Sequence, residues 1–118
     1  MLPGPPSAPD GDIRIIRVTR NMLAIHWSPP VDNGGYPIER YIIEKRDAEH
    51  SHWTQAGVCP PDVTAFCITD LAEDQMYYFR VVAETAYGFS EPLECDKPVV
   101  PRRIFGTRAL LSFFFYNL

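Results

Sequence analysis

Cysteine is scarce in this sequence, and so is positive charge. The three cysteines, Cys59, Cys67 and Cys95, are an odd number without Cys-X-X-Cys spacing, which fits neither a disulfide framework nor a zinc site. Eleven Lys and Arg stand against fifteen Asp and Glu, so the net charge is −4 and the pI about 5.2. A general nucleic-acid-binding surface, which needs a basic face, is disfavoured. Asn21, Asn33 and Asn117 are not followed by X-Ser/Thr, so no N-glycosylation acceptor is present. The opening Met1-Leu2-Pro3-Gly4-Pro5-Pro6 has no basic stretch leading into an apolar run, and a secretory signal is not expected. Together these absences point to a reducing, intracellular setting.

Catalytic patterns are missing as well. The serines lack a Gly-X-Ser-X-Gly elbow, and Gly34-Gly35 reads as a turn with no phosphate loop around it. His50-Ser51-His52 has no cysteine or carboxylate cluster at ligand spacing and reads as a solvated loop. The expectation is therefore a non-enzyme with no catalytic residue, no bound metal and no cofactor.

What is present is a run of short strands. The 118 residues suit one domain. Hydrophobic residues at 46% and charged residues at 22% are ordinary for a globular chain. Twelve prolines favour strands and turns over helices. Residues 1–7 read as a Pro/Gly-rich linker, 8–101 as the folded domain and 102–118 as an apolar tail outside it. Within the domain, alternation predicts strands over 13–20, 22–27, 38–45, 52–58, 64–69 and 77–83, with a last one inside 93–100. Pro29 and Pro30 end the second strand in this reading, and Asp32-Asn33-Gly34-Gly35 forms a turn. No amphipathic helical segment separates the strands. Seven strands at intervals of about ten residues predict an all-β, Greek-key sandwich of the immunoglobulin-like kind.

The strand at 77–83 organises the rest. Tyr77, Phe79, Val81 and Ala83 alternate toward the core, while Tyr78, Arg80 and Val82 face away. Tyr77 can bury its ring and hydrogen-bond backbone a few residues upstream, with Leu71 at the turn before it. Trp27 supplies a large area for both sheets to pack on. The expected core markers are Trp27, Tyr41, Leu71, Tyr77 and Phe79. On the other face, Ile42, Tyr78, Arg80 and Val82, with Glu44 among them, form the candidate partner-binding surface. A purely structural alternative has Arg80 stacked on Trp53 as a cation–π pair.

In this order and spacing, several residues resemble the fibronectin type III domain over roughly residues 3–101. They are Trp27 followed by Pro29-Pro30, Tyr41, Leu71 six residues before Tyr77, and Gly88-Phe89-Ser90-Glu91-Pro92 in the last hairpin. Pro3-Gly4-Pro5-Pro6, Asp32-Asn33-Gly34-Gly35, Ile43-Glu44-Lys45-Arg46, Trp53 and Ser90-Glu91-Pro92 resemble more narrowly the intracellular muscle type found in titin, twitchin and myosin-binding proteins. Thr85 departs from that pattern, which usually has asparagine after this strand. The resemblance implies a spacer and docking module of a multidomain sarcomeric or cytoskeletal protein in the cytoplasm. Its implied partners are other proteins and neighbouring immunoglobulin or fibronectin modules of the same chain. The alternative is an ectodomain module of a cell-surface receptor or adhesion protein, and a third reading places the module beside a kinase domain. The basic, aromatic tail is too short to span a bilayer as a helix. It can add to a sheet edge or mediate self-association through 104–118.

Overall fold

The structure is a computed structural model, described here for residues 2–103; the expectations for 104–118 fall outside the described residues. Seven strands follow one another with no helix among the described residues: β1 (Pro9–Val18), β2 (Leu23–Pro30), β3 (Ile38–Asp47), β4 (Thr54–Cys59), β5 (Ala65–Ile68), β6 (Tyr77–Thr85) and β7 (Leu93–Glu94). They form two antiparallel sheets, one in the order β1-β2-β5 and the other in the order β4-β3-β6-β7. The two sheets face each other across one core, the sandwich that the strand spacing predicts.

That core is built from alternate residues. Leu23, Ile25 and Trp27 of β2 are fully buried against Tyr41 and Ile43 of β3 and Phe79, Val81 and Ala83 of β6. The Trp27 and Tyr41 rings meet edge to face, with centroids 5.4 Å apart. Leu71 and Tyr77 are also buried, and the Tyr77 hydroxyl accepts a hydrogen bond from the Ala72 N–H at 2.9 Å. This bond ties the loop between β5 and β6 to the start of β6, next to Asp74 at φ 66°. Tyr77→Phe is expected to cost about 1 kcal/mol. The value is modest because Ala72 is exposed and water can take over its N–H. Chemical denaturation of the two proteins at equal m-value measures it.

Strand boundaries differ from the expected ones where pairing partners end. β2 continues through Pro30 because β5 has already stopped: the Trp27 N–H reaches Thr64 O, and beyond it only β1 pairs, through Asp10 with Ser28 and Pro9 with Pro30. Missing proline donors therefore cost no ladder bond on the β5 side. β1 begins at Pro9 rather than 13 and carries two irregularities before Ile15 and one after it. β3 runs to Asp47, two residues past the expected end, since Arg46 and Asp47 find partners in Tyr78 and Tyr77. β7 is only two residues long. Its line continues as Cys95, whose N–H donates to Phe79 O while its thiol accepts from Phe79 N–H, and then as Val99, bridged to Tyr77.

The first and last described residues lie at opposite poles. At one pole, residues 2–7 lie along the turn between β2 and β3, with Gly4 N–H bonded to Gly34 O and Ser7 N–H to Asp32 O. Gly34 sits at φ 76°, and a Cβ there would press on Pro5 O at 2.7 Å, so only glycine suits this crossing. At the other pole, Arg103 lies beside the β1–β2 hairpin at Val18 to Met22, and Asp74 N–H bonds Pro101 O.

Candidate functional site

The outer face of the four-stranded sheet is set by the pairing of β3 with β6. Register places Arg40 opposite Glu84, Ile42 opposite Val82, Glu44 opposite Arg80 and Arg46 opposite Tyr78. Side chains directly opposite one another on an antiparallel pair are the closest neighbours a sheet offers. The pairs are complementary throughout. Arg40 and Glu84 form an ion pair with two hydrogen bonds, and Arg80 Nε donates to Glu44 Oε1 at 2.8 Å. The carboxylate of Glu84 holds the Arg40 guanidinium above its ordinary pKa through hydrogen bonding and charge.

Rings and guanidinium groups then stack along the same face. The Arg80 guanidinium lies 4.3 Å from the centroid of Trp53, and Arg46 lies 5.2 Å from Trp53 and 4.6 Å from Tyr78. The sequence Tyr78–Arg46–Trp53–Arg80–Glu44 is therefore a continuous ladder in which each cation has a π face or a carboxylate on either side. Every member is half-buried. Glu44, Arg46, Tyr78 and Arg80 project from strands, and Trp53 arrives from the loop just before β4.

Of the four residues expected on a partner-binding face, Ile42, Tyr78 and Arg80 are half-exposed, whereas Val82 keeps only 9% of its surface. Val82 sits on the outward register, but Ile42 lies opposite it and the Arg80 and Glu84 stems stand on either side along β6. Long charged side chains readily cover a β-branched residue in this way. The cation–π contact of Arg80 with Trp53 is present. Sequence reasoning misses Arg46, the rung between Tyr78 and Trp53, because the expected third strand ends one residue before it. The signal was available, as Arg46 follows Ile42 and Glu44 at period two.

Elsewhere the candidates resolve into turns and core. His50 Nδ1 lies 3.7 Å from Asp47 Oδ2, and the His50 and His52 rings are 6.1 Å apart. No group of three His, Cys, Asp or Glu among the described residues could hold a metal ion. No helix of the described residues is long and apolar enough to cross a membrane. Thr85, the departure from the family pattern, is buried, and its hydroxyl accepts from Tyr87 N–H at 3.2 Å, closing the turn to Gly88. The thiols of Cys59 and Cys95 are pushed up in pKa chiefly by burial, and Cys67 is exposed.

Comparison with known proteins agrees with this architecture. The family model for the fibronectin type III domain matches residues 5–96. Titin of Drosophila melanogaster is 33% identical over 98 residues, 83% of this chain and, rounded, 0% of the titin. Human myomesin-2 is 32% identical over 102 residues, 83% of this chain and 6% of that protein. Among solved structures, titin domains A168–A170 superpose with a TM-score of 0.76 at 29% identity, covering 84% of this chain and 33% of that one. The curated relatives are far longer: this chain spans at most 16% of those compared here, as in chicken myosin-binding protein H. The chain belongs to the fibronectin type III family.

Proposed function

We propose that the chain is a non-enzymatic spacer and protein-docking module of a multidomain sarcomeric or cytoskeletal polypeptide, working in the cytoplasm among other modules of the same chain. The observation that carries this reading is the placement of the two ends. The N-terminal segment is bonded to the turn 32–35 at one end of β2, and Pro101 and Arg103 lie at the hairpin and loop around the other end. A module entered at one pole and left at the opposite pole transmits length and tension along its strands. Similarity to titin and to M-protein of striated muscle supports the setting.

The docking half of the reading is assigned to Ile42, Tyr78 and Arg80, with Val82 as a buried support beneath them. The ladder holds their polar groups in fixed positions, so a partner meets a pre-organised surface. The test is affinity capture from striated-muscle extract with wild type and Tyr78→Asp, each checked first for an unchanged thermal transition. The wild type is expected to retain sarcomeric proteins identified by mass spectrometry, and Tyr78→Asp to lose them at least tenfold. Equal retention by Tyr78→Asp would remove the docking role from this face.

A further inference from the structure

The three-stranded sheet carries arginines that behave unlike those of its partner sheet. On β3 and β6, Arg40, Arg46 and Arg80 each engage a carboxylate, a ring or both. On β1 and its hairpin, Arg14, Arg17 and Arg20 are exposed, and their side chains make no hydrogen bond, ion pair or ring contact with any described residue. An acidic chain of net charge −4 thus keeps a group of arginine side chains without an ion pair on one side.

Register puts two of them on one face with a small apolar floor. Leu23, Ile25 and Trp27 point into the core, so Ala24 and His26 point out. Arg17, Ala24 and Cys67 form one outward row, and Arg14, His26 and Ala65 form the next, about 7 Å away. Ile16 follows Arg14 at period two and faces out at 59% exposure, and the irregularity between Ile15 and Arg17 brings Arg17 to that same face. Ala24 is small and only 6% exposed, while the side chains of its row neighbours, Arg17 and Cys67, are exposed. The two carboxylates of β1, Asp10 opposite Ser28 and exposed Asp12, make no ion pair with Arg14.

We propose that this outer face of the β1-β2-β5 sheet docks an acidic, extended protein segment that carries a short apolar side chain. Carboxylates two residues apart would meet Arg14 and Arg17, and the apolar side chain would sit over Ala24 between Ile16 and Cys67. Charge complementarity selects the acidic partner. A lipid surface or a nucleic acid is a poorer match, because each draws affinity from many cations at once and the chain as a whole is acidic. The inference goes beyond the docking face of the four-stranded sheet and does not depend on it, since Tyr78→Asp leaves it untouched.

The test uses the full chain and a fluorescein-labelled peptide of sequence Glu-Glu-Val-Glu-Glu, with its Lys-Lys-Val-Lys-Lys counterpart as control. Fluorescence anisotropy up to millimolar protein and the alkylation rate of exposed Cys67 give two readouts. The acidic peptide is expected to bind, to weaken as salt rises, and to slow Cys67 alkylation at least threefold; the basic peptide is expected to do none of these. Arg14→Glu with Arg17→Glu, both exposed and with no side-chain hydrogen bond, ion pair or ring contact to lose, should weaken binding at least tenfold, whereas Lys97→Glu should change it less than twofold. No binding by wild type, equal loss in Lys97→Glu, or unchanged alkylation of Cys67 would overturn the proposal. So would tighter binding to phosphatidylserine vesicles or a single-stranded oligonucleotide than to the peptide.

Discussion

Trp27→Ala is expected to destabilise the module by about 4 kcal/mol, near the middle of the range for large aromatic-to-alanine changes in cores. Trp27 is fully buried between the sheets and meets Tyr41 edge to face, so alanine leaves a cavity lined by both sheets. The rigid ladders on either side cannot close around it. A loss of this size is a large share of the roughly 5–15 kcal/mol that holds a domain together. Trp27→Phe should cost much less, about 1–2 kcal/mol, for a reason specific to this site. The indole Nε1 is buried without a hydrogen-bond partner among the described residues, and phenylalanine removes that unsatisfied donor along with part of the ring. Urea unfolding of the three proteins checks both values. A Trp27→Phe loss as large as that of Trp27→Ala would overturn this account, because it would mean that Nε1 makes a stabilising hydrogen bond that phenylalanine lacks.

The sandwich and its core were readable because their signals are local and periodic. Trp27, Tyr41, Tyr77 and Phe79 each sit in an alternating run, and period two assigns a face without knowledge of the partner strand. The strand ends were not readable in the same way. Whether Pro30 belongs to β2, or Arg46 to β3, depends on where the neighbouring strand stops, and that is a property of the pairing rather than of the segment itself. The same reason hid the ladder. Arg80 and Trp53 are 27 positions apart, and Arg46 joins them only once β3 is aligned with β6. Val82 shows the limit from the other side: alternation gives its direction correctly, yet its burial is decided by what surrounds it on that face. Arg17 joins Arg14 and Ile16 on one face only because of an irregularity in β1 that alternation does not foresee.

Gly57→Ala is expected to cost about 3 kcal/mol although no unusual backbone angle requires glycine there. Gly57 lies opposite Ile43 on the inward register of β4, at the open side of the sandwich. From the facing sheet, Phe66 of β5 lays its ring against the bare backbone, so that a Cβ would overlap Cζ and stand 2.8 Å from Cε1. Glycine is therefore a space requirement that lets one large ring bridge β4 and β5, and alanine forces that ring out of its rotamer or the strands apart. Because the clash falls on the far end of the ring, Phe66→Leu should relieve it, as leucine lacks those atoms. Alone, Phe66→Leu should cost about 1 kcal/mol, and in its presence Gly57→Ala should cost less than about 1 kcal/mol. The double-mutant cycle then gives a favourable coupling of about 2 kcal/mol, measured by denaturant midpoints at constant m. Additive losses would instead place the cost of Gly57→Ala in the β4 backbone and not in its contact with Phe66.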